Sequence, residues 1–182
     1  MNLKSLHKLT YREYQLFPND GHRHEIIDGD HYMSPAPSTK HQTVSRHLLF
    51  QLYSQLEQTG RGKVFNAPTD VELSEHDIVQ PDLLVILKEN QRIILPKRIR
   101  GIPDLCVEIL SESNPDADRV LKLELYQRTG VPEYWIIDPS EESIDVYVLQ
   151  DNGYRHTKWK GNELKPTRIS DCVVNIDHIW IE

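Results

Sequence analysis

The stretch GIPDLCVEILSESNPDADRVLKLELYQRTG, residues 101–130, decides the fold of this chain. Its first third, GIPDLCVEIL, has too few polar positions to face water and predicts a buried strand that carries Glu108. The polar turn SESNP follows, and Asn114 or Asp116 can cap the helix DADRVLKLELYQRTG, which Gly130 ends. A buried strand that leads into a helix indicates a domain in which helices pack on a sheet.

The predicted helix has two faces of interest. Its apolar stripe is expected at four positions: Ala117, Val120, Leu121 and Leu125. Asp118, Lys122 and Tyr126 are spaced by four residues, so they share a face that borders this stripe. A lysine there can lean towards the sheet, where an ammonium would stabilise negative charge on a phosphate or orient an attacking water. The alternative is a surface ion pair between Asp118 and Lys122.

A second buried strand is predicted from PDLLVIL, with Asp82 at its start. Acidic side chains in such apolar surroundings are costly unless they are paired or bound to a cation. Asp82 and Glu108 on neighbouring strands would supply hard oxygen ligands for Mg²⁺ or Mn²⁺, which use one or two protein carboxylates beside substrate phosphate. The alternative is that each acid ends its strand and meets solvent or a basic partner.

The remaining segments predict further helices and strands. Thr10 can cap a short helix, YREYQLF, that Pro18 stops. In HEIIDGDHYMS the Asp28-Gly29 pair predicts a hairpin with Glu25 on a strand. Helical spacing of apolar residues predicts an amphipathic helix over residues 38–58. KVFNAPTDVEL, EYWIID, SIDVYVLQ and YRHTKWK are typical of strands. The expected class is therefore α/β or α+β, with a mixed central sheet flanked by helices.

Length and composition indicate one ordinary globular domain, residues 1–182, with 38% hydrophobic residues. The two cysteines are too few for a disulfide framework, which favours a reducing cytoplasm. We expect no membrane span and no export signal, because no stretch is apolar enough.

The formal net charge of -7 disfavours generic binding to a polyanion, so any contact with DNA must be local. The segment between the two acid-bearing strands carries a basic group opposed in sequence only by Glu89: Lys88, Arg92, Lys97, Arg98 and Arg100. This group could grip flanking phosphates. The alternative is ordinary solvated surface.

Several of these motifs together resemble a large bacterial family of the restriction-endonuclease-like PD-(D/E)XK superfamily. The resemblance runs from HEIIDGDHYMSP through Pro81-Asp82 and GIPDLCVEILSESNPDADRVLKLELYQRTGVPEYWIIDP to the C-terminal strands. It implies that Asp82 is the metal-binding aspartate and that Glu108 is the acid of the (D/E)XK element. The chain departs from the strict motif because Leu110 stands where the lysine belongs. By the resemblance, the lysine is relocated to the next helix as Lys122.

The resemblance also implies roles for two earlier residues. Glu25 matches an early acidic position and would complete the metal site, directly or through water, or else pair with a neighbouring base. His41 matches a recurring position and would contact substrate or a site carboxylate, or else serve as a capping or core-edge histidine.

The expected function is that of a Mg²⁺- or Mn²⁺-dependent endonuclease acting on DNA. Catalysis is assigned to Asp82, Glu108, Lys122 and Glu25, and the first, second and last of these would hold metal. Weaker candidates for substrate contact are His41, Lys97, Arg98, Arg100, Asp118 and Tyr126. One alternative is a nuclease-fold module that binds DNA or protein with little or no catalysis. Another is a hydrolase of a small phosphate ester. A homodimer is expected only by analogy with restriction enzymes.

Overall fold

The computed structural model describes residues 8–34, 36–111 and 118–181, without the side chains of residues 118 and 119. The helices are α1 (Tyr11–Tyr14), α2 (Thr39–Leu52) and α3 (Leu123–Thr129). Turns of π-helix span Tyr53–Glu57 and Asp118–Lys122, and 3-10 turns span Lys88–Ile93 and Asp177–Ile179. No helix in the described part of the chain is long and apolar enough to cross a membrane. The candidate caps Asn114 and Asp116 and the stripe residue Ala117 lie outside the described residues.

A six-stranded sheet forms the centre of the molecule, in the order β11-β10-β9-β8-β6-β3. Strands β8 and β9 run parallel and the other neighbours run antiparallel, so the sheet is mixed, as the sequence predicts. Its strands are β3 (Gly62–Asn66), β6 (Leu83–Leu87), β8 (Leu105–Ile109), β9 (Glu133–Asp138), β10 (Ser143–Gln150) and β11 (Gly153–Trp159).

A second sheet has five strands in the order β2-β1-β5-β4-β7. Its strands are β1 (Arg23–Ile27), β2 (Asp30–Ser34), β4 (Val71–Ser74), β5 (Asp77–Val79) and β7 (Ile99–Arg100). A small pair, β12 (Glu163–Leu164) and β13 (Val174–Asn175), completes the strands.

The central strands β6, β8 and β9 of the six-stranded sheet are buried on both faces, which explains the apolar runs of β6 and β8. One face packs against α2 through Val44, Leu48 and Leu52. The other face packs against α3, through Leu125 and Tyr126, and against apolar residues of the five-stranded sheet. Alternate residues of β8 therefore enter different cores, and Glu108 lies on the α3 side with Cys106.

The helix cap and the hairpin predicted near the N-terminus are confirmed, but the predicted helix is shorter than expected. Thr10 caps α1, which ends at Tyr14 rather than extending through the whole YREYQLF segment. Strands β1 and β2 pair as a hairpin through the two-residue turn Asp28-Gly29. Both turn residues have positive φ, 52° and 80°, which the tight turn requires. The hairpin places Glu25 on β1, buried at 4% exposure.

One predicted strand is wrong. The segment KVFNAPTDVEL is not continuous, because β3 ends at Asn66 in the six-stranded sheet and β4 begins at Val71 in the other sheet. Pro68 lies between them and cannot donate a backbone hydrogen bond to a sheet. Each half of the segment therefore contains a strand, but the chain changes sheets between them.

The predicted helical stripe is also partly wrong. Val120 is 61% exposed, whereas Lys122 is only 5% exposed. The residues Asp118–Lys122 form a π-helical turn, in which hydrogen bonds reach one residue further than in an α-helix. This wider turn shifts which positions face inward, so Lys122 points into the protein in place of Val120.

Candidate active site

The four residues predicted for catalysis converge at the junction of the two sheets. Glu25, Asp82, Glu108 and Lys122 all line one small cavity of about 50 Å³. Each of the four is at most 5% exposed. A buried water needs roughly 10–15 Å³, so this acid pocket has room for only a few water-sized groups.

The strand register brings the two central acids together. Leu83 of β6 pairs with Val107 of β8, so the next position on each strand places Asp82 opposite Glu108. Directly opposed residues of an antiparallel pair project to the same face of the sheet. The start of β6 and the end of β8 therefore present two carboxylates side by side.

Lys122 joins the two sheets through its ammonium group. Its Nζ donates to Glu25 Oε1 at 3.0 Å and to Glu108 Oε1 at 2.9 Å. Tyr126, one turn further along α3, donates its hydroxyl to the same Glu108 oxygen at 2.7 Å. Burial raises the pKa of Tyr126, which keeps this hydroxyl a proton donor. Lys122 is thus held at the acids by a geometry that the i to i+4 spacing predicted.

Asp82 is surrounded by donors. Arg23 Nη1 donates to Oδ1 at 2.6 Å, and Oδ2 accepts from His41 Nε2 at 3.0 Å and from the backbone N–H of Ile109 at 2.8 Å. Burial raises the pKa of Asp82, but the hydrogen bond from His41 and the charge of Arg23 outweigh burial and lower the pKa to about 2. Asp82 is therefore an anion at neutral pH.

Glu25 ties the hairpin to the segment that precedes Asp82. Its Oε1 accepts from Lys122 and, at 2.7 Å, from the backbone N–H of Gln80. The site thus contains three acidic side chains, Glu25, Asp82 and Glu108, and three basic groups: Arg23, His41 and Lys122.

The donor set suits a hard divalent ion held by two carboxylates. Among the described residues no group of three or more His, Cys, Asp or Glu side chains is arranged to hold a metal. Asp82 and Glu108 nevertheless offer opposed carboxylates in a cavity with room for a small ion, and Mg²⁺ commonly takes one or two protein carboxylates. Glu25 faces Lys122, so a direct ligand role for it, as the sequence suggested, requires this ion pair to open.

Only some of the residues predicted to contact substrate lie at the acid pocket. His41 and Tyr126 reach the site carboxylates, as described above. None of the basic candidates lines the acid pocket: Lys97 and Arg98 line a separate cavity, and Arg100 lines another. Glu72, which is distant in sequence, contacts Arg98 at 2.6 Å and Arg100 at 3.3 Å. The side chain of Asp118 lies outside the described part of the chain.

Two residues of the site escaped the sequence argument. Arg23 is two residues before Glu25 on β1, so strand alternation puts both side chains on one face, and this signal could have identified it. Gln80 contributes its backbone N–H, and its carbonyl oxygen lies 3.5 Å from Arg23 Nη1. A backbone contribution of this kind depends on pairing between distant segments and leaves no mark in the sequence.

A mixed sheet with opposed acids at adjoining strand ends and a lysine from the following helix defines the restriction-endonuclease-like class of fold. The chain belongs to the Uma2 family, whose model, described as "Putative restriction endonuclease", matches residues 11–173. The protein is also similar to a solved structure from Anabaena variabilis ATCC 29413, described as "a putative nuclease belonging to DUF820". That similarity has a TM-score of 0.78 and 19% identity, and covers 94% of this chain and 97% of the other. No curated protein matches the chain.

Proposed function

We propose that this protein is a divalent-metal-dependent endonuclease that hydrolyses phosphodiester bonds of DNA. The observation that carries the proposal is the convergence of Asp82, Glu108 and Lys122 in one buried cavity. Membership of a family described as restriction endonucleases supports the same reaction class.

Asp82 and Glu108 would hold Mg²⁺ or Mn²⁺. A bound divalent ion lowers the pKa of a water ligand and neutralises charge on a phosphate oxygen. The low pKa of Asp82 suits this role, because the carboxylate is available as an anion across the physiological range. Arg23 and His41 hold the Asp82 side chain in one orientation.

Lys122 would act on the phosphate. Its ammonium is positioned by Glu25 and Glu108, so little reorganisation is needed when negative charge develops on the phosphoryl oxygens. The same group can orient the attacking water. Glu25 serves in this proposal to position Lys122, and it can reach a bound ion through water.

The first test combines metal binding with cleavage. Calorimetry with Mn²⁺ is expected to show one site in the wild type that disappears in Asp82→Ala and Glu108→Ala. Cleavage of plasmid and single-stranded DNA in Mg²⁺ is expected to disappear with it. Asp151→Ala is the matched control, because Asp151 is exposed in the turn between β10 and β11. Metal-dependent cleavage that survives in both site variants would contradict the proposal.

A further inference from the structure

A larger cavity of about 510 Å³ adjoins the acid pocket. The two cavities share Arg23, His41 and Asp82 along one side. Pockets for small molecules typically occupy about 300–1,000 Å³, so this cavity could enclose a single nucleotide but not a base-paired duplex. A phosphate at Asp82 would place the attached sugar and base within reach of this second cavity.

The lining of the larger cavity is rich in carboxamides. Five of its side chains carry this group: Gln15, Asn19, Gln42, Asn66 and Gln80. A carboxamide presents a donor beside an acceptor in one plane, and for this reason Asn and Gln pair with the edges of nucleobases. Such a lining suits a flat, neutral, polar ring better than it suits a second phosphate.

Gln80 offers the most specific feature of the cavity. Its Nε2 donates to the hydroxyl of Tyr14 at 2.9 Å and to Asp70 Oδ1 at 2.8 Å. Because a carboxylate can only accept, Asp70 fixes which end of the amide is nitrogen. The opposite atom, Gln80 Oε1, is buried and accepts no hydrogen bond from the described residues. An unpartnered buried acceptor is costly, and a ligand N–H would satisfy it once the side chain turns this oxygen towards the cavity.

Aromatic rings form another part of the lining. Tyr14 and Phe17 both border the cavity, and their ring centroids lie 5.7 Å apart at an angle of 67°. Aromatic side chains stack on bases of every type, because each base has a π face. The cavity therefore has aromatic side chains as well as carboxamides in its lining, and the Phe17 ring also contacts the His31 ring at 4.4 Å.

We infer that this cavity, the base pocket, binds one unpaired nucleobase of the strand whose phosphate lies in the acid pocket. The inference rests on the proposed nuclease function and adds to it a substrate class, a single-stranded or locally opened polynucleotide. Gln80 also links the two pockets, beside the residues that line both. Its backbone N–H contacts Glu25 in the acid pocket, and its side chain lines the base pocket.

Binding measurements test the inference without cleavage. The probes are the four deoxynucleoside 5′-monophosphates and deoxyribose 5-phosphate, titrated in Mg²⁺ and followed by ¹H–¹⁵N spectra. A deoxynucleoside 5′-monophosphate is expected to bind at least ten times more tightly than deoxyribose 5-phosphate, because a base edge that is paired by two hydrogen bonds changes the affinity by about this factor or more. The side-chain amide signals of Gln42 and Gln80 are expected to shift. A parallel series with ribonucleotides tests whether the strand that the base pocket binds is RNA or DNA.

Variants show where the base binds. Gln80→Met and Gln42→Ala are expected to bring the affinity ratio of nucleotide to sugar phosphate close to one. Gln42 is exposed, so its replacement keeps the test valid if Gln80→Met fails to fold. Gln58→Ala is the matched control, since Gln58 is exposed and about 24 Å further along the same helical segment. A ratio near one in the wild type, or a ratio that both pocket variants leave unchanged, would overturn the inference.

Failure of this inference can be distinguished from failure of the nuclease proposal. Asp82→Asn is expected to weaken both probes alike and to leave their ratio unchanged. A nucleotide preference without any metal-dependent cleavage would support the base pocket and count against the nuclease. Cleavage that requires Asp82, together with equal binding of nucleotide and sugar phosphate, would support the nuclease and count against the base pocket.

Discussion

Two basic residues near the two ends of α3 contact buried acids, Lys122 in the candidate site and Arg128 in a second cluster around Asp77. Lys122, just before α3, contacts Glu25 and Glu108. Arg128, at the end of α3, contacts Asp77 of β5. Asp77 is 1% exposed, as deeply buried as the acids of the candidate site. The two clusters therefore look alike in the burial of their acids and in the pairing of opposite charges, although the Arg128 side chain is 44% exposed and that of Lys122 only 6%.

The two clusters differ in whether a cavity adjoins them. Asp77 accepts four hydrogen bonds, two from Arg128, one from the Ser74 hydroxyl and one from the backbone N–H of Asp28. A carboxylate has about four acceptor positions, so this cluster is complete within the protein. Glu108 and Lys122 instead line a cavity beside a second carboxylate. Burial of charge alone therefore does not indicate chemistry, and an adjoining space for substrate is needed as well.

The largest difference between the clusters is expected in catalysis. Lys122→Met should reduce metal-dependent cleavage by a factor on the order of a hundred to a thousand, as when one electrostatic contact to a transition state is removed. Arg128→Met should leave the rate per folded molecule unchanged. The measurement is single-turnover cleavage at saturating Mg²⁺, with the folded fraction of each variant determined by circular dichroism.

Mn²⁺ calorimetry on the same variants sharpens this result. Lys122→Met removes a positive charge beside Glu108, so it should bind Mn²⁺ at least as tightly as the wild type. A lysine that acts on the phosphate predicts a slow variant that still binds metal. Equal rates in Lys122→Met and Arg128→Met would remove the distinction between the two clusters.

The second prediction concerns stability, for which the cluster around Asp77 is expected to matter more than it does for catalysis. Asp77→Ala leaves Arg128, Ser74 and the Asp28 N–H without their acceptor, so the free energy of unfolding should fall by about 2 kcal/mol, since water can still solvate the half-exposed Arg128. Urea denaturation measures this change. The exposed control Asp151→Ala should stay within about 0.5 kcal/mol of the wild type. A loss of the same small size in Asp77→Ala would show that the bonds of this cluster contribute little.

The sequence alone predicts the elements of the fold better than their arrangement. Apolar runs and helical spacing identified β6, β8 and α2 because burial acts on each residue locally. The same information could not show that the chain leaves one sheet for another at Pro68. It also could not reveal the π-helical turn that leaves Val120 exposed.

The residues of the candidate site could likewise be predicted from the sequence only in part. Asp82 and Glu108 were detectable as acids in apolar strands, and their proximity follows from the pairing of those strands. Asp77 carries a comparable signal, an acid at the start of the strand DIV, yet its cluster is structural. Only the three-dimensional partners separate the two cases. Arg128 is 51 residues away from Asp77 along the chain, and no local pattern connects them.

The smallest predicted effect is the pH dependence that Asp77 contributes. Burial raises the pKa of Asp77, but the hydrogen bonds from Arg128, the Asp28 N–H and Ser74 outweigh it, and the net pKa is lowered. A carboxyl with a lower pKa in the folded state stabilises the fold above its unfolded pKa of about 3.9. This stabilisation is lost as the pH falls through the folded pKa.

Urea denaturation of the wild type and Asp77→Asn between pH 7 and pH 3 measures this contribution. The stability difference should be constant at neutral pH and should shrink below about pH 5, with a slope of at most about 1.4 kcal/mol per pH unit. Asp82, whose pKa is also lowered, is present in both proteins, so its contribution cancels. Two parallel curves would mean that Asp77 does not change its proton affinity on folding, and that its four hydrogen bonds do not favour the charged form.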